Sequence, residues 1–85
     1  MIRISHTGEA PSLDVVHDIT DVLLISIHKA FDGQVLDAGA LSAAFILSGL
    51  GVMKAGHMSD IKERVVDFVR EVDLDEIHPF DPSRH

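Results

Sequence analysis

The sequence predicts an all-α fold: a three-helix domain with an extended N-terminal arm, assembled as a two-fold helical-bundle dimer. Three observations lead there. Ala38 to Met53 run sixteen residues without a charge. Apolar positions from Leu13 to Phe31 and from Ile61 to Val72 recur at helical spacing. Pro11, Gly33 and Gly56 fall between these stretches, where helices start and stop. A chain of 85 residues makes one domain with a single core and a narrow stability margin.

The arm covers residues 1–11. Ile2 and Ile4 alternate with Arg3 and Ser5 in a short strand-like pattern that ends before Gly8 and Pro11. A lone strand finds no partner in a helical chain. The arm therefore lies on the helices or, as the second choice, pairs with its counterpart in a dimer.

The first helix is expected over residues 12–32, capped by Ser12, with Asp14 in the first turn and Gly33 as a left-handed stop. Asp14, His17, Asp18, Asp21, His28, Lys29 and Asp32 share an arc of about 120°, interrupted by Ile25. The opposite arc, over half the circumference, is apolar. This helix needs cover on more than one side.

The central helix is expected over residues 37–55, with Asp37 as its cap. It has no polar face: Leu41, Phe45 and Val52 lie on one side, and Ile46, Leu47, Leu50 and Met53 on the other. A helix apolar all round is buried all round. Ala40, Ala44, Ser48 and Gly51 form a small-residue stripe with Ala55, and this stripe is the expected interface, because small side chains let two backbones approach closely. Gly49-Leu50-Gly51 is an alternative site for a kink or break.

The third helix, residues 59–72 and capped by Ser59 or His57, carries one apolar stripe of Ile61, Val65, Phe68, Val69 and Val72, with Asp60 and Arg64 spaced for an ion pair. Residues 73–85 form an acidic tail with two prolines, docked at most through Ile77 and Phe80. Three helices alone cover two such apolar neighbours poorly, so a homodimer is expected, with the first and central helices at the interface.

Composition narrows function by exclusion. Without cysteine there is no disulfide, thiolate zinc site or cysteine nucleophile. A net charge of −7 disfavours nucleic acid and anionic membranes, since phosphate contacts need clustered Lys or Arg. No secretion signal opens the chain, and the uncharged run is shorter than the roughly 20 residues of a membrane span. The expected compartment is the cytoplasm, with no membrane partner.

No catalytic triad, phosphate-cradling glycine loop or zinc-helix motif is present, so no catalytic residues and no cofactor are expected. His17, Asp21 and His28 are the metal-ligating candidates, because imidazole and carboxylate one turn apart meet on one helix face. Phe31, Phe45 and Met53 are the residues that would line a ligand pocket beside the small-residue stripe; packed core is the stronger reading.

Two families of similar size do not fit. Acyl carrier proteins modify a serine in an Asp-Ser-Leu setting, whereas Ser42 and Ser48 lie in Leu-Ser-Ala and Leu-Ser-Gly. Helix-turn-helix domains need a recognition helix that tolerates phosphate, and the third helix carries Asp60, Glu63, Asp67 and Glu71. The function expected is a small acidic interaction or regulatory protein that self-associates and binds a basic protein partner. The alternative is a metal- or ligand-binding bundle.

Overall fold

The computed structural model describes residues 1–80; the last five positions of the expected tail lie outside the described residues. Three helices, α1 (Leu13–Ala30), α2 (Ala38–Ala55) and α3 (Ile61–Glu71), are followed by a short 3-10 turn, Leu74–Glu76. No strand occurs among the described residues. The described chain divides into two compact units: α2 and α3 with the N-terminal segment Met1–Gly8, and α1 with its flanking residues Glu9–Leu36 and with Pro79 and Phe80.

In the α1 unit, Ser12 is the cap in backbone only. Its carbonyl accepts from the Val16 N–H at 3.0 Å, but its hydroxyl makes no capping bond. Asp14 in the first turn and His28 and Lys29 in the last sit where the helix dipole favours them. The stop is the expected one. Phe31 donates to the Ile27 carbonyl at 3.1 Å, Gln34 donates to the Phe31 carbonyl at 3.0 Å, and Gly33 takes φ +78°, which costs glycine nothing.

In the other unit, Asp37 caps α2 with its side chain, Oδ2 accepting from the Ala40 N–H at 2.8 Å. The helix continues unbroken through Gly49 and Gly51, so the possible kink is absent. It closes with a pair of bonds: His57 donates to the Lys54 carbonyl and Met58 to the Met53 carbonyl, both at 3.0 Å. That pairing demands a left-handed residue at position 57. The helix ends at Gly56, as expected, with φ −82°, and the left-handed residue is His57 at φ +56°.

The start of α3 also differs from expectation. Asp60 is the cap residue, with left-handed φ +54° and no side-chain capping bond. Arg64 Nε donates to the Ser59 carbonyl at 2.7 Å instead of pairing with the Asp60 carboxylate. Within this unit α2 touches α3, and the half-buried side chains are Leu41, Phe45, Leu50 and Met53 of α2, Met58 of the loop, and Ile61, Val65 and Val72 of α3. Met53 thus behaves with Leu41 and Phe45, while Val52 stays exposed. The N-terminal arm reaches the end of α2: Ile4 Cγ2 lies 3.5 Å from the position a Cβ on Gly56 would take.

Candidate functional site

No described side chain is buried, and twenty-one large apolar side chains among the described residues are exposed. In a self-sufficient domain of this kind the aliphatic residues would be the most buried. The exposed apolar faces of the helices are therefore the candidate site.

On α1 much of the apolar arc is exposed. Val15, Ile19 and Val22 are 54%, 56% and 63% exposed. The less exposed side of the helix holds Leu24, Ile25, Ile27 and His28, and so includes two residues of the charged arc. Val15, Ile19 and Val22 lie together on this arc.

The hydroxyls within this arc do not oppose burial. Thr20 Oγ1 donates to the Val16 carbonyl and Ser26 Oγ to the Val22 carbonyl, each at 2.8 Å. Both donors are satisfied inside the helix, so water can leave the face without orphaning them.

On α2 the stripe residues Ala40, Ala44, Ser48 and Gly51 are all exposed, and nothing lies within 4 Å of a Cβ built on Gly51. Their backbone is open to close approach. Ile46 and Leu47 beside the stripe are exposed as well. Among the described residues α2 is the helix long and apolar enough to cross a membrane. Its 18 residues span about 27 Å at the helical rise, a little less than the roughly 30 Å of bilayer hydrocarbon.

On α3 the apolar stripe is only partly covered. Phe68 and Val69 flank the half-buried Ile61, Val65 and Val72 and remain exposed. Around them the chain is acidic. From Asp60 to Glu76 seven carboxylates face three basic side chains, all exposed.

The expected metal ligands are not drawn into a site. His17, Asp21 and His28 remain strung along one helix, and among the described residues no three His, Asp or Glu side chains gather where they could hold a metal ion. Of the expected pocket residues, Phe45 and Met53 belong to the α2–α3 unit and Phe31 to the α1 unit.

No protein-family model, curated protein or solved structure matches the chain. What it offers a partner is apolar helix surface edged by carboxylates.

Proposed function

We propose that this chain is a non-enzymatic, self-associating interaction protein: α1 and α2 cover their apolar faces against a second copy, and the acidic surface of α3 receives a basic protein partner. That no described side chain is buried, while twenty-one large apolar ones are exposed, carries this reading.

The partner's chemistry follows from the charge around α3. Carboxylates at the rim of an apolar stripe attract a basic surface over several ångströms and repel an acidic one, which favours a cationic protein from the same compartment, here the cytoplasm. Native mass spectrometry of the complex recovered from its own lysate tests this. The result expected is two copies of the chain bound to a basic protein, dissociating as salt is raised. An acidic partner, or a complex indifferent to salt, would contradict it.

A second reading is favoured by the length and apolar character of α2, which would instead meet lipid. Flotation with neutral phosphatidylcholine vesicles separates the two. A dimer stays below the vesicles; a chain that inserts α2 rises with them.

A further inference from the structure

The bend between α2 and α3 is made by two strained residues. His57 and Asp60 hold φ +56° and +54°, the left-handed region in which the Cβ of an L residue is crowded. Such strain persists only where the surroundings enforce it, and it gathers in segments that switch. Here enforcement is slight. In the unit where α2 touches α3, Phe45, Met53, Ile61 and Val65 are only half-buried. We propose that the connection from Gly56 to Asp60 is a two-state hinge: bent as it stands, or straightened so that α2 and α3 run on as one helix. The hinge acts within one chain and does not depend on self-association.

The backbone can change state without orphaning the groups that close the bend. His57 now donates to the Lys54 carbonyl and Met58 to the Met53 carbonyl. In a continuous helix each N–H donates to the carbonyl four residues back, so His57 takes Met53 and Met58 takes Lys54. The same two donors and two acceptors exchange partners. Ile61, Lys62 and Glu63, at the start of α3, then receive the carbonyls of His57, Met58 and Ser59. The bend has in its favour the α2–α3 contact and the bond from Arg64 Nε to the Ser59 carbonyl at 2.7 Å.

The sequence admits the straight state as well. No proline lies between Pro11 and Pro79. Continuing the helical step of about 100° from α2 through the connection puts Met58, Ile61, Val65, Phe68 and Val72 on the arc of Leu47 and Leu50, about 80° wide and interrupted by Lys54. Straightening therefore takes the α3 stripe off α2 and sets it in line with apolar residues of α2.

The chain has no cysteine, so full-length Ala43→Cys with Glu71→Cys, both at exposed positions, carries one spin label at each for a distance measurement. Labelled chain is diluted into excess unlabelled chain of the same hinge sequence, so that only distances within one chain are read. A continuous helix sets the labelled residues about 42 Å apart, and any bend that lets α3 touch α2 sets them closer. His57→Gly with Asp60→Gly relaxes the bend, whereas His57→Ala with Asp60→Ala penalises it and favours helix. The long-distance population is expected to be larger by about tenfold or more in the alanine pair than in the glycine pair, with the unmodified chain between them. Helix content by circular dichroism should rise in the alanine pair, because residues 56–60 join the helix. One short distance shared by both pairs overturns the hinge and makes the bend a fixed turn. A long distance that the glycine pair does not shorten overturns it too. So does loss of helix content in the alanine pair, since the straight state keeps every helical residue of the bent one.

Discussion

Met58 donates its backbone N–H to the Met53 carbonyl at 3.0 Å, and this bond wraps the chain around His57. The turn holds His57 at φ +56°, a left-handed conformation that crowds its Cβ. Glycine adopts it freely. His57→Gly should therefore stabilise the chain by about 1 kcal/mol, which for a small domain raises Tm by roughly 4–8 °C. Thermal denaturation at matched chain concentration measures it; a lowered Tm would show that the imidazole makes a contact worth more than the strain.

The two helix caps differ in kind. Asp37 accepts from the Ala40 N–H at 2.8 Å, while the Ser12 hydroxyl makes no capping bond to α1. Replacing Asp37 by Ala should cost about 1 kcal/mol, and Asp37→Asn much less, because Asn can accept the same bond. Ser12→Ala should be nearly silent by comparison. Urea titrations of the three variants rank them; equal losses at Asp37 and Ser12 would contradict the assignment.

Within α2 the glycines and the small stripe pull in opposite directions. Nothing lies within 4 Å of a Cβ on Gly49, so Gly49→Ala should gain about 1 kcal/mol of helix propensity. Ala44→Leu should instead lose roughly 1–3 kcal/mol through overpacking where a second backbone approaches the stripe. Melting curves and sedimentation together decide it. If Ala44→Leu leaves both Tm and mass unchanged, that face is open in solution.

The helices were legible because their signals are local. Gly33 and Asp37 bracket the loop between α1 and α2, and the structure uses both as the sequence suggests, one left-handed and one as a cap. Caps and turns of borderline chemistry were not legible. Ser12 and Asp37 are both good cap residues by type, and only the backbone decides which side chain reaches its target. Nothing in the sequence marks His57, after the boundary glycine Gly56, or Asp60, at the start of α3, as the residues that turn left-handed. The neighbours of α2 were the least legible. A helix apolar on every side carries no periodicity to aim it, which is why Met53 falls with Leu41 and Phe45 and not with Leu47. On the candidate site, apolar excess on α1 and α2 could be read directly, whereas the half-burial of Leu24, Ile25, Ile27 and His28 could not, because it cuts across the boundary between the apolar and charged arcs of α1.

The central claim is that one copy of this chain does not cover its own helices. Sedimentation velocity of the unmodified protein at micromolar concentration tests it most directly. The account predicts a single species of twice 9.3 kDa; a species of 9.3 kDa that persists as concentration rises would contradict it.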